Sequence, residues 1–182
     1  MPFLPYTIDP RLLERAAVRY RGARPPPLGY GTVRDFSDSV EHLPELATVN
    51  HDLKDLQRPW ILKAIVGAVP PGSTLIEIGA GDPHVAHWLS LLGYRVWIVD
   101  PYDGSGHGPT DYDFYREHFP DLHLVRETFS EHLSETPDDL VDCIYSISVL
   151  EHIPHSELRS VMQGIRRFSR PKALTIHAVD HV

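Results

Sequence analysis

Glu77, Asp82 and Asp100 are the side chains from which a ligand site can be argued, because they surround a glycine turn that follows an apolar run. The stretch from Thr74 to Leu92, TLIEIGAGDPHVAHWLSLL, opens with Leu75-Ile76-Glu77-Ile78, which reads as a buried strand, and turns through Gly79 and Gly81. Asp82 is placed to cap a helix and Pro83 to open it. Val85, Trp88, Leu89 and Leu92 recur on one helical face, and Gly93 supplies the stop. A strand, a tight glycine turn and a helix N-terminus form the local architecture of a nucleotide-type ligand site. A dinucleotide site spaces its glycines G-x-G-x-x-G/A so that a pyrophosphate can approach the backbone. Here His84 takes the third position, and the turn is flanked by Glu77 and Asp82. Carboxylates in those places repel a pyrophosphate and attract a cation.

S-adenosylmethionine, which carries a sulfonium and an ammonium and needs no phosphate cradle, fits that charge pattern better. Glu77-Ile78-Gly79-Ala80-Gly81, then Asp100 closing the run Arg95 to Val99, then Asp142 to Ser148 followed by Val149-Leu150-Glu151-His152-Ile153-Pro154, resemble three successive motifs of class I S-adenosylmethionine-dependent methyltransferases. The resemblance covers about the last three fifths of the chain, with Pro83 standing where the family often has a third glycine. It implies S-adenosyl-L-methionine as cofactor, with Glu77, Gly79, Ala80 and Gly81 forming the cofactor turn and Asp100, followed by Pro101, at the ribose hydroxyls. It further implies Glu127, Thr128 and Phe129 around the adenine, and Ser146, Ile147 and Ser148 behind the methionine part. Glu127 reads equally well as a plain surface glutamate. His152, with His155 behind it, is the candidate general base, against a structural role for the same Glu-His pair.

The elements needed to position these residues can be read in order. Arg11 to Arg24 forms one amphipathic helix ending at Pro25-Pro26-Pro27, and Ser37 to Leu56 is helical in pieces broken at Pro44. Pro59 opens a helix with Ile61, Ala64, Ile65 and Ala68 on one face, stopped by Pro70-Pro71-Gly72. Further strands are expected at Tyr94 to Val99, Leu122 to Arg126, Asp142 to Ser148 and Ala173 to Val179. The helices between them are Tyr112 to Phe119 and one opened by Pro154, whose buried stripe is Leu158, Val161, Met162, Ile165 and Phe168. Strands alternating with helices indicate an α/β, Rossmann-like, doubly wound parallel sheet. Residues 1–56 are expected to be a helical or irregular extension that covers the cofactor or shapes the substrate pocket, and 57–182 the cofactor-binding domain. The family core continues after its fifth strand with a helix and two more strands that this sequence does not supply. The fold is therefore expected to be truncated there, with a homo-oligomer or partner chain covering the fifth strand.

Composition narrows the alternatives. A net charge of -8 argues against nucleic acid as a partner of the whole surface, and no apolar run approaches the roughly 20 residues of a membrane span. The single Cys143 excludes an internal disulfide and suits a reducing compartment, so cytoplasm is the expected location. Twelve histidines raise a metal question, but the pairs His84/His87 and His152/His155 match no recognised ligand spacing, and no metal is expected. The resulting expectation is a methyltransferase acting on a small-molecule or sugar-like acceptor. The alternatives are a methyltransferase-like binding module without activity and a nicotinamide-dependent reductase.

Overall fold

A computed structural model describes residues 6–23, 28–105 and 108–180. The proline run 25–27 and His107 lie outside the described residues. Five parallel strands make the sheet: β1 (Thr74–Ile78), β2 (Arg95–Val99), β3 (Leu122–Val125), β4 (Val141–Ile147) and β5 (Ser169–Ala178), in the spatial order β3-β2-β1-β4-β5. β1 pairs on one side with β2, Ile78 opposite Val99, and on the other with β4, Ile78 opposite Ser146. The strand order reverses at β1, so the crevice beyond the carboxyl ends of β1 and β4 is the topological switch point where such sheets bind ligands.

Side-chain alternation along the strands divides the core between the two faces of the sheet. Leu75, Val96, Ile98, Cys143 and Tyr145 belong to the larger cluster, whereas Ile76, Ile78, Val99 and Ile144 belong to the other. The larger cluster takes residues from α1 (Pro10–Tyr20), α4 (Lys54–Ala68), α5 (His84–Leu91) and α6 (Tyr112–His118), the second from α7 (His155–Phe168). Helices on both faces make this a Rossmann-like doubly wound fold. Among the described residues no strand lies beyond β5.

The segment before β1 folds onto α4. α2 (Val33–His42) starts with a capping box between Thr32 and Asp35, and Pro44 opens the one-turn α3 (Pro44–Ala47). Asp38 on α2 gathers Lys63 Nζ at 2.6 Å, Arg19 Nη2 at 2.5 Å and the Tyr20 hydroxyl at 2.9 Å, tying α1, α2 and α4 together. Burial opposes ionisation of this carboxyl, but the hydrogen bonds from Lys63, Arg19 and Tyr20 outweigh it and hold Asp38 far below the ordinary carboxylate range.

The structure departs from the sequence expectation at three helices. α4 begins at Lys54 and contains Pro59 instead of starting there. The Asp55 carboxylate accepts the N–H groups of Val49, Asn50 and His51 at 3.1, 2.9 and 2.7 Å, and Asp52 accepts from Lys54 N, so the first turn is secured ahead of the proline. The expected domain division at 56/57 consequently falls inside one helix. Asp82 does not cap α5: its carboxylate accepts from the Tyr115 hydroxyl at 2.6 Å, and the helix begins at His84 with Pro83 at the cap position. On α7, Val161, Gly164 and Phe168 are buried while Met162 faces solvent.

Candidate functional site

A cavity of about 750 Å³ opens at the switch point. One wall is the glycine turn after β1, residues Glu77 to Asp82, and a second is the end of β2, Val99 to Pro101. The loop after β3 contributes Thr128, Phe129 and Ser130, and the segment after β4 runs from Ile147 to Pro154. Lys54 and Arg58, one turn apart on α4, close the side formed by the N-terminal layer, and Glu157 to Val161 of α7 line the opposite side.

The turn requires its glycines. Gly79 and Gly81 have φ of +64° and +54°, a region that side chains enter only at a cost. A Cβ on Gly79 would also lie 2.9 Å from a methyl of Val149, whereas one on Gly81 would meet nothing within 4 Å. Asp100 holds the turn from the neighbouring strand. Its Oδ2 accepts Ala80 N–H at 3.1 Å and its Oδ1 accepts Tyr102 N–H at 2.7 Å. Each carboxylate oxygen keeps a second acceptor position, on a buried side chain that lines the cavity. Burial raises the Asp100 pKa, and the two backbone hydrogen bonds oppose the rise.

Glu77 is 1% exposed and accepts the Tyr145 hydroxyl at 3.0 Å. Burial pushes its carboxyl up to about 8, against the Tyr145 hydrogen bond and the attraction of Arg58. Even with Arg58 nearby, Glu77 is therefore mostly protonated at neutral pH and does not supply the negative charge expected of it from the sequence. His84, in the third position of the turn motif, is buried and pushed down to about 4 by burial and by Arg58, so the first turn of α5 carries a neutral imidazole. Arg58 is 5% exposed, donates from Nη1 to Asn50 Oδ1 at 2.7 Å, and forms no ion pair among the described residues. A buried guanidinium has five donors and strongly prefers a carboxylate or phosphate partner. Neither Arg58 nor Lys54 is among the residues singled out from sequence. Reading Pro59 as the helix start hid their shared face, one turn apart, toward the cavity.

The remaining sequence candidates divide. Gly79, Ala80, Gly81, Asp100, Pro101, Thr128, Phe129, Ile147 and His152 all line the same cavity as Glu77. Glu127 and Ser146 do not. The Glu127 carboxylate turns back to accept from Ser134 N at 3.1 Å and from the Ser134 hydroxyl, and Ser146 is fully buried against His177 Nδ1 at 2.8 Å. Phe129 is set by a close approach: a Cβ on Gly164 of α7 would lie 2.8 Å from the Ser130 carbonyl carbon and 3.0 Å from the Phe129 ring. His152, in the 3₁₀ turn Leu150–His152, is exposed and is the only imidazole among the described lining residues. Among the described residues no three His, Cys, Asp or Glu side chains converge as a metal site would need.

The family model described as "Methyltransferase domain" matches residues 49–181, from the loop before α4 to the residue after Asp180. The chain belongs to this methyltransferase-domain family. No protein of curated function matches the sequence. Among solved structures, this methyltransferase domain is similar to 1,6-didemethyltoxoflavin-N1-methyltransferase of Burkholderia thailandensis, bound there to 1,6-didemethyltoxoflavin and S-adenosylhomocysteine. The identity is 19% and the TM-score 0.51, over 96% of this chain and 66% of that one. It is also similar to precorrin-6y C5,15-methyltransferase of Geobacter metallireducens, with 18% identity and a TM-score of 0.50 over 74% of this chain and 67% of that one. At these identities the likeness is one of fold. The chain spans still less, 44% and 47%, of two further matched structures.

Proposed function

We propose that the protein is an S-adenosyl-L-methionine-dependent methyltransferase of a small-molecule acceptor. The observation that carries this reading is that the Gly79–Gly81 turn, Asp100, Glu77 and Arg58 converge on one cavity. Their chemistry matches the parts of the cofactor one by one. Asp100 offers two acceptor positions to a vicinal diol. Arg58 supplies the cation for the α-carboxylate, Glu77 the carboxyl for the α-ammonium, and the bare backbone at Gly79 and Gly81 lets the chain of the amino acid lie close. A pyrophosphate would meet Asp82 and Asp100 as well as Arg58 and Lys54, whereas a zwitterion presents a group of each sign to this mixed lining.

When bound, the cofactor would supply a transferable methyl group carried on a sulfonium, whose sulfur is a good leaving group. The residues of this chain then mainly align and desolvate. Val149 packs over the Gly79 turn and fixes the floor at the end of β4. Phe129, with Val161 of α7, provides the apolar slot for a flat base, with Thr128 and Ser130 beside it. Glu127, turned toward Ser134, takes no part. His152, on the segment after β4, takes the proton of an O–H or N–H acceptor. The N-terminal layer, through Lys54 and Arg58 of α4, closes the cofactor end.

Isothermal titration with S-adenosylhomocysteine tests the reading. One site with a dissociation constant in the micromolar range is expected, and Arg58→Met should weaken it by about tenfold or more, the effect of leaving a carboxylate unpaired. A folded protein that gives no heat with this ligand refutes the proposal.

A further inference from the structure

Ser148, the first residue after β4, has φ +53°, in the left-handed region that favours glycine. Its N–H donates to Ala178 O at 2.8 Å, which keeps it on the sheet, and the positive φ then turns the chain so that Val149 comes to lie over the Gly79 turn. The next residues form the 3₁₀ turn Leu150–His152, and Ser148, Val149 and His152 all line the cavity. A serine in this conformation is strained and persists only where neighbours determine it.

Those neighbours meet at one carboxylate. The Ser148 hydroxyl donates to Asp180 Oδ2 at 3.0 Å, Gln57 Nε2 of α4 donates to Asp180 Oδ1 at 2.6 Å, and the Asp180 N–H donates to Glu151 Oε1 at 2.8 Å. Asp180 thus joins α4, the left-handed residue after β4 and the 3₁₀ turn, three elements that carry Arg58, Val149 and His152 to the cavity. Asp180 itself is not among the residues that line that cavity. We propose that Asp180 is a positioning residue, whose carboxylate holds Ser148 in its left-handed conformation and so sets the wall of the cavity between α4 and His152.

The test is a double-mutant cycle of Asp180→Ala and Ser148→Gly, with two readouts. The first is the backbone conformation at Ser148, from its 13Cα and 13Cβ chemical shifts. In Asp180→Ala these should leave the left-handed range, and this arm does not depend on the cofactor. The second, which rests on the proposed function, is affinity for S-adenosylhomocysteine. Asp180→Ala should lose about tenfold, whereas adding Asp180→Ala to Ser148→Gly should cause no further loss beyond that of Ser148→Gly alone, because glycine adopts positive φ without the carboxylate. Asp180→Asn, which keeps one acceptor oxygen and the side-chain shape, replaces Asp180→Ala if the latter fails to fold. Unchanged Ser148 shifts in the Asp180 variant would overturn the proposal, and so would a further tenfold loss when Asp180→Ala is added to Ser148→Gly. Absence of binding by wild type would instead defeat the cofactor reading and leave the shift measurement to decide the role of Asp180.

Discussion

Glu77 should release a proton when a cation binds beside it. In the free protein burial raises its carboxyl to about 8, from 4.5 in an unperturbed glutamate. At pH 7 it is then about nine tenths protonated. An ammonium group placed against it favours the ionised form, so binding of S-adenosylhomocysteine at pH 7 should expel close to one proton. Titrations in phosphate and in Tris, whose ionisation enthalpies differ widely, should give apparent binding enthalpies that differ in proportion to that proton. Between pH 7.5 and 6, where the ligand's ammonium stays charged, affinity should fall roughly 20-fold, approaching tenfold per unit. Glu77→Gln should abolish the buffer dependence and flatten the pH profile. The same carboxyl binds its proton more tightly folded than unfolded, so its contribution to stability is full below pH 4.5 and is lost as pH rises toward 8, with a slope of roughly 1.4 kcal/mol per unit. Glu77→Gln should remove that slope. Binding enthalpies that are equal in the two buffers, with wild-type affinity intact, would refute the placement of the ammonium at Glu77.

Other perturbations have distinct signatures. Gly79→Ala should cost both the positive-φ penalty and a clash with Val149, about 2 to 4 kcal/mol in chemical denaturation, against about 1 kcal/mol for Gly81→Ala, which faces open space. Asp100→Ala should weaken S-adenosylhomocysteine by roughly 1 to 3 kcal/mol in calorimetry. It should also lower the melting temperature, because the Ala80 and Tyr102 N–H groups lose their acceptor. Asp38→Asn should destabilise the protein by about 1 to 3 kcal/mol at pH 7, since Lys63 and Tyr20 keep only a neutral partner. The difference from wild type should shrink in acid as pH falls through the depressed pKa of Asp38.

Much of the fold was legible because burial on both faces of a parallel sheet leaves continuous apolar runs. β1 and β2 are the runs Leu75 to Ile78 and Arg95 to Val99, extended by one residue at Thr74 in the first case. β5 starts earlier than its apolar run, at Ser169, because Ser169 pairs with Val141 before a register irregularity, a contact no local pattern announces. The glycine turn and Asp100 were readable from residue type and spacing, since positive φ and a strand-end carboxylate leave a mark in composition. What could not be read depends on tertiary direction. Glu127 sits at the expected position but points to Ser134, Arg58 reaches the cavity only because α4 starts before Pro59, and Ser148 is an ordinary-looking serine whose conformation is set from Asp180, 32 residues away.

The central claim, that the turn, Asp100 and Arg58 hold the cofactor in one cavity, is tested most directly by a crystal structure of the protein grown with S-adenosylhomocysteine. The account predicts the ribose hydroxyls on the Asp100 carboxylate, the amino-acid carboxylate on Arg58, and the chain between them against Gly79 and Gly81. A ligand seated elsewhere, or one that reaches Asp100 but leaves Arg58 and Glu77 without contact, would contradict it.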